Sequence, residues 1–327
     1  MRRRTILIFA VIALSFSVFA KKKYMITTSG ETLRALTQIT DSKYACITPF
    51  GGDYGKDLYY AVNEDGKYYN IFKKENVGAS ATQQKTSGKN FNYSPFYCAE
   101  TDKVAFRCIN EGMSQSDIYM FSNNKGKALT QVTETNQANE GNPCISQDGK
   151  MLVYDRQSYA TYRQLSGLSF LLGMENIVII EKSELWVKNL QNGENTLLGN
   201  GYQPQFSPDG TKIAYVKYSG DAKSCNIWIM DADGSNQVQI TDAKKGYAFY
   251  PRWSPEGDKL VFQLIKKDKK DSDIYTIDID GNNLTQLTVN KSHDGTPYWT
   301  KDNNIYFVSD RGNERGKYQI WRFNIED

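Results

Sequence analysis

The sequence predicts an all-β fold, a six-bladed β-propeller of four-stranded antiparallel blades, on three observations. A proline-marked unit starts at Pro49, Pro95, Pro143, Pro204, Pro251 and Pro297, at separations of 46, 48, 61, 47 and 46 residues. Each unit carries three short runs rich in β-branched and aromatic residues, split by turn residues, which is the pattern of successive antiparallel strands. The last unit stops after its third run, and the missing fourth run stands at the other end of the chain. Leu36-Thr37-Gln38-Ile39-Thr40 matches Leu284-Thr285-Gln286-Leu287-Thr288, and both leucines lie thirteen residues before the next marking proline. Repeats of forty to fifty residues, each one small sheet, are the signature of a propeller. Residues 32–40 are therefore expected to pair with Gln319–Asn324 and to close the last blade.

Taken in order, the chain opens with Arg2, Arg3 and Arg4 followed by the apolar run Ile6–Phe19, with Val18 and Ala20 as small residues before a cut. This reads as a secretory signal peptide over 1–20, then a short leader over 21–31 and the propeller over 32–327. An uncleaved anchor is the competing reading, but the run is only fourteen residues long. Removing 1–20 takes away three arginines and no acids, leaving 37 basic against 37 acidic residues. That balance argues against a nucleic-acid partner and a polybasic membrane surface, and no later run is long enough for a membrane span.

Within each unit the proline heads the innermost strand, tolerated there because one edge faces a channel instead of a partner. Tyr97, Ile145, Phe206, Trp253 and Trp299, two residues after a proline, are bulky enough to fill the wedge between neighbouring sheets. Second strands run Leu58–Val62, Val104–Phe106, Met151–Tyr154, Ile213–Val216, Leu260–Phe262 and Ile305–Val308. Third strands carry an aliphatic and then an aromatic residue: Ile71-Phe72, Ile118-Tyr119, Leu185-Trp186, Ile227-Trp228, Ile274-Tyr275 and Ile320-Trp321. From proline to aliphatic residue the distances are 22, 23, 42, 23, 23 and 23. SPDG at 207–210 and SPEG at 254–257 suit tight turns, proline presetting φ and glycine adopting a positive one. The five cysteines, odd in number and far apart, read as buried thiols. A Cys98–Cys108 bridge is disfavoured because a turn near Thr101 sets Cys98 opposite about residue 103.

The segments FSPDGTKIAYV, IWIMDADG, WSPEGDKLVF and IYTIDIDGNNLTQLT resemble the WD40-like repeats of the TolB propeller family, over nearly the whole mature chain. The resemblance implies an exported, envelope-associated protein that binds other proteins through its propeller. It carries no expectation of the α/β domain that precedes the propeller in that family, since the first strand begins about a dozen residues after the predicted cut.

Function is expected on one face. The tight turns share a face of the disc, which leaves the loops from second to third strand and from fourth to first strand on the other. The third unit carries 19 extra residues on that loop face, within about 156–183, including the apolar stretch from Tyr159 to Ile180. It reads as a lid or docking element, or as a hairpin or short helix folded on its own blade. Tyr93, Asn142, Gln203, Tyr250, Arg252 and Tyr298, near the marking prolines, are expected to line the channel mouth, where stacking surfaces and amides suit a peptide or sugar. If they do not bind, they plug the channel. His293, the only histidine, with Asp294, joins them on the loop face. No nucleophile elbow, zincin motif, Walker loop or dinucleotide fingerprint is present. Asp231/Asp233 and Asp278/Asp280 resemble fragments of a calcium loop but lack its later ligands, and KKDKKD at 266–271 reads as a solvated loop tip. No catalytic residue, cofactor or metal is expected. The leading reading is a non-catalytic scaffold that binds an envelope protein or peptide; the alternative is a carbohydrate-active lyase or hydrolase, or a sugar-binding protein.

Overall fold

The computed structural model describes residues 34–51, 57–64, 67–75, 77, 81–124, 128–135, 138–162, 177–219, 224–242, 246–266, 271–314 and 316–325. The predicted signal peptide and leader, the tip of the third-unit insertion at 163–176 and residues 267–270 lie outside them. Among the described residues there are 24 strands and no helix.

Strand β1 (Arg34–Gln38) stands apart from its neighbours in sequence. It is followed by β2 (Cys46–Gly51), β3 (Asp57–Val62), β4 (Asn70–Glu75) and β5 (Thr82–Gln84), which form one sheet in that order. The next sheet is β6 (Phe91–Cys98), β7 (Lys103–Ile109), β8 (Asp117–Ser122) and β9 (Thr130–Gln131). A third is β10 (Asn139–Ile145), β11 (Met151–Tyr162), β12 (Ile177–Asn189) and β13 (Asn195–Asn200). Then come β14 (Tyr202–Phe206), β15 (Lys212–Tyr218), β16 (Cys225–Asp231) and β17 (Val238–Gln239), joined by one parallel bridge, Cys225 to Tyr247, to β18 (Tyr247–Trp253), β19 (Lys259–Ile265), β20 (Asp273–Asp278) and β21 (Thr285–Gln286). The last three, β22 (Asp294–Trp299), β23 (Asn304–Ser309) and β24 (Gln319–Asn324), take β1 as their fourth strand, with Thr37 opposite Arg322 and Gln38 opposite Trp321.

The repeated sequence signature has a repeated physical job. All six third-strand aliphatic residues have no exposed surface. Each following aromatic sits directly across from a second-strand aromatic: Tyr60 with Phe72, Phe106 with Tyr119, Tyr154 with Trp186, Tyr215 with Trp228, Phe262 with Tyr275 and Phe307 with Trp321. Such cross-strand pairs stabilise a sheet through side-chain packing. In five sheets a threonine two residues past the fourth strand then accepts the backbone N–H of the aliphatic residue: Thr86 for Ile71, Thr133 for Ile118, Thr241 for Ile227, Thr288 for Ile274 and Thr40 for Ile320, at 2.8 to 2.9 Å. The last of these joins the two ends of the chain with the same bond used within the other sheets.

Neighbouring sheets are tied as well as packed. Backbone N–H groups of Asn92, Glu140, Gly201, Asp294 and Cys46 donate to carbonyls of Tyr69, Ser116, Ser183, Ser272 and Tyr318 on the preceding sheet, at 2.8 to 3.1 Å. The Cys46–Tyr318 bond links the last sheet to the first. The wedge residues behave as the sequence predicts. Trp253 and Trp299 lie in clusters that mix residues of two sheets, the Trp253 indole donates to the Gln205 carbonyl at 3.1 Å, and Tyr59 stacks on Tyr97 with centroids 5.0 Å apart. At the one remaining junction the equivalent residue is Gly51, where a Cβ would stand 2.6 Å from the Tyr298 ring.

The five cysteines are buried and unpaired, and Cys98 faces Lys103 in the register. Burial pushes the thiol pKa to about 11 for Cys46 and about 12 for Cys108 and Cys144, so they remain protonated at neutral pH.

If the threonine bond acts alike everywhere, Thr40→Val and Thr241→Val should each cost about 1–3 kcal/mol in urea unfolding, because each orphans a buried N–H. Deleting residues 34–40 should lower the melting temperature well beyond either substitution, and an unchanged melting curve would show that β1 contributes nothing.

Candidate functional site

The innermost strand of every sheet carries the same backbone irregularity. The residue before the marking proline has a left-handed φ in all six: Thr48 at 50°, Ser94 at 48°, Asn142 at 48°, Gln203 at 51°, Tyr250 at 54° and Thr296 at 44°. The strand register shifts at the same place in each. A bulge of this kind frees the local ladder and re-aims side chains. The six residues before the prolines are half-buried, while the prolines themselves are buried.

Several of these residues are linked across neighbouring sheets. The N–H of Ser94 donates to Thr48 Oγ1 at 3.2 Å, and the N–H of Tyr250 donates to Gln203 Oε1 at 2.7 Å. Gln203 in turn donates its own N–H to Asp155 Oδ2 at 2.8 Å, which also accepts Asn142 Nδ2 at 2.8 Å. Asp155 is buried, and burial raises its carboxyl pKa against the lowering effect of these donors and of Arg107. Arg107 and Asp155 flank Gly141, where a Cβ would meet both at 3.3 Å. Arg107 donates Nε to Ser116 Oγ at 2.9 Å, with its guanidinium 5.9 Å from the Tyr93 ring.

The residues after the prolines form a second ring: Phe50, Phe96, Cys144, Gln205, Arg252 and Tyr298. Phe50 contacts Phe96 at 4.4 Å and Tyr298 at 4.3 Å between centroids. Three sheets thus fill their side of the channel with aromatic rings. The candidate residues Tyr93, Asn142, Gln203, Tyr250, Arg252 and Tyr298 fall into separate layers. Asn142, Gln203 and Tyr250 belong to the left-handed ring, Arg252 and Tyr298 to the ring that fills the channel, and Tyr93 packs between Tyr69 and Phe91 beside Arg107. Thr48, Ser94, Thr296, Arg107 and Asp155 escape sequence reasoning. The recurrence of a polar or aromatic residue before each proline is the only trace of the first three.

His293 and Asp294 sit at the start of β22. The His293 N–H donates to Asp310 Oδ1 at 2.8 Å, and burial raises the Asp310 carboxyl pKa. Asp294 is fully buried and pairs with the equally buried Arg311 at 2.6 Å, with Ser292 and Ser309 donating to its other oxygen. The Arg311 guanidinium lies 5.0 Å from the Phe307 ring and 5.8 Å from that of Trp321. Asp294 is therefore committed to the interior and presents no carboxylate to a ligand.

The insertion extends the third sheet's own hairpin, with β11 and β12 paired from Met151–Asn189 out to Tyr162–Ile177. At its base Arg156 binds the buried Glu140 at 2.7 Å and lies 4.5 Å over Trp186. Beside it a polar cleft of about 330 Å³ is lined by Gln131, Glu134, Tyr154, Arg156, Lys188 and Asn195. The acid pairs serve their turns: Asp231 binds Lys212 and Asn236, and Asp278 binds Lys259 and Asn283, which lowers both carboxyl pKa values. Among the described residues no group of three His, Cys, Asp or Glu side chains is placed to hold a metal.

Residues 181–327 match the family model described as the TolB beta propeller domain. The fold is a β-propeller like that of TolB. TolB from Acinetobacter baumannii aligns over 84% of this chain and 65% of its own, at 16% identity and a TM-score of 0.57. A putative TolB from Agrobacterium tumefaciens aligns over 89% and 97%, at 20% identity and 0.58. The oligogalacturonate lyase of Vibrio parahaemolyticus aligns over 94% and 99%, at 13% identity and 0.57. No curated protein matches the chain. At these identities the likeness is one of fold, which hosts unrelated functions.

Arg311→Met should destabilise this TolB-like propeller by about 3–5 kcal/mol, since it strands the buried Asp294 charge. The double change Asp294→Asn with Arg311→Met should recover part of that loss in denaturant unfolding; full additivity of the two would show that the pair is not coupled.

Proposed function

We propose that this TolB-like propeller is an exported, non-catalytic scaffold that binds an envelope protein or peptide on its loop face. The observation that carries the reading is the state of the carboxylates nearest the channel mouth. Asp155, Asp294 and Asp310 are each buried and held by donors from the fold. General acid–base chemistry needs a group that can reach substrate and exchange its proton. What stays half-exposed around the channel is amide, phenol, imidazole and guanidinium: Asn142, Gln203, Tyr93, Tyr250, Tyr298, His293 and Arg252. Such side chains suit recognition by stacking and hydrogen bonding. The extended hairpin of the third sheet rises on the same face and supports a docking role.

Export is supported by Arg2–Arg4, the apolar run that follows and the small residues at Val18 and Ala20. No helix among the described residues is long and apolar enough to cross a membrane. The alternative reading, a carbohydrate-active propeller, draws on the polar cleft beside Arg156 and Tyr154, whose amide and charged groups suit a sugar.

A photocrosslinking residue at exposed loop-face positions Lys89 and Lys291, and at exposed turn-face positions Asn192 and Asp280, separates the readings in intact cells. The scaffold reading expects one discrete protein adduct from the first two positions and none from the second two. Absence of an adduct, together with depolymerisation of a polysaccharide by the purified chain, would replace it with the enzyme.

A further inference from the structure

The ring that fills the channel has one member whose chemistry does not match its surroundings. Phe50, Phe96 and Tyr298 close their side with aromatic contacts, Cys144 is buried, and Gln205 turns its amide to the Pro204 carbonyl at 2.8 Å. Arg252 occupies the remaining place. Its Nη1 donates to the neighbouring Pro251 carbonyl at 3.3 Å, and its Nε is buried without a hydrogen-bond partner. The groups near enough to act on its charge are Cys144, Tyr298 and Tyr250, from three different sheets, and no carboxylate is among them. Residues of three sheets therefore come near its guanidinium. Part of its surface is reachable by water along the channel although protein surrounds it.

Burial disfavours the charged guanidinium, and Arg252 makes no ion pair among the described residues. By contrast, the fully buried Arg311 has its carboxylate at 2.6 Å. The Arg252 stem could fill the channel equally well if it ended in a thioether, so packing does not account for the charged head. Its planar fork suits a carboxylate, which it can bind through two parallel bonds. The other charges that act on neighbouring Tyr250 are Asp155 and Arg107. Two guanidinium groups and one carboxylate leave a single positive charge at the mouth, which fits one monovalent anion better than a phosphate dianion.

We propose that Arg252 is the anchor of an anion site in the channel mouth, and that its ligand is a carboxylate presented by a partner chain, from an acidic side chain or a free C-terminus. The phenols of Tyr250 and Tyr298 flank it, and Asn142 and Gln203 of the upper ring frame the entry. This rests on the reading of the loop face as a peptide-binding surface and specifies what the peptide must carry. An acidic residue at the tip of a docking segment would replace the lost hydration of the guanidinium, so binding should weaken with salt.

The test uses the full chain labelled with ¹⁵N at arginine and follows the Arg252 Nε–H signal. Three probes are titrated: an acetylated and amidated Gly-Asp-Gly peptide, an acetylated Gly-Gly-Gly peptide with a free C-terminus, and glucuronate, with sodium chloride as control. The expected result is a saturable shift of that signal by one of the peptides, and an affinity for that peptide, measured by titration calorimetry on both proteins, that falls about tenfold or more in Arg252→Gln. Which peptide acts identifies the source of the carboxylate. A shift by glucuronate alone would keep the anion site and overturn the peptide ligand. A signal that none of the probes moves more than chloride does would overturn the site itself. Arg252→Met supplies an independent reading: an unpaired enclosed charge held for a ligand opposes folding, so this variant should melt above the wild type while binding no probe. A lower melting temperature would assign Arg252 a structural role and overturn the proposal.

Discussion

The threonine just past a fourth strand is the contact on which the ring depends most. Its hydroxyl accepts the N–H of a third-strand residue with no exposed surface, in five sheets, and in the last of them the two partners come from opposite ends of the chain. A small sheet standing alone would expose its outer strand and bury little. Each sheet gains stability from its neighbours through the shared wedge of aromatic and aliphatic side chains, so an open ring would leave two such faces uncovered. The Thr40–Ile320 bond closes the last sheet with the start of the chain, and the Cys46–Tyr318 bond holds that sheet to the first.

The inner rim works against that regularity. Six non-glycine residues hold a left-handed φ at one equivalent position, a conformation that costs of order 1–3 kcal/mol per residue. The arrangement persists because the buried proline that follows fixes the strand, and because side chains of one sheet accept the N–H groups of the next. Asp155 shows how this is enforced, since one oxygen binds Asn142 of its own sheet and the backbone of Gln203 in the next. The same bulge sets the residue before the proline on the mouth and the residue after it in the channel. Recognition groups and filling groups are separated by two positions in sequence.

Symmetry is broken where the chain has something particular to do. The third sheet lacks the threonine, and there the fourth strand itself pairs with the third as far as Glu184 opposite Asn200. It is also the sheet whose hairpin lengthens on the loop face, with a charged and aromatic base at Glu140, Arg156 and Trp186. The first sheet gives up its wedge residue at Gly51 because Tyr298 occupies that space. These departures were visible as irregular spacing or as a missing bulky residue, but their meaning was not. Asp294 illustrates the difficulty: beside the only histidine it looked like a channel-mouth acid, and its partner Arg311 lies 17 residues away on the far side of a hairpin.

By itself the sequence determined the strand pattern, the tight turns, the wedge residues and the joining of residues 34–40 to the last sheet, because these rest on short-range spacing repeated many times over. Period-two alternation and turn chemistry are local properties, and six copies average out the accidents of any one. The tertiary structure alone decided which candidates face the channel, which fill it and which are buried as ties. That outcome depends on where a left-handed residue turns each inner strand and on which groups meet from sheets about fifty or more residues apart. Arg252 reads in sequence as one more polar residue after a proline; only the tertiary structure, which brings Cys144, Tyr250 and Tyr298 near it, shows a charge with no counter-ion among the described residues.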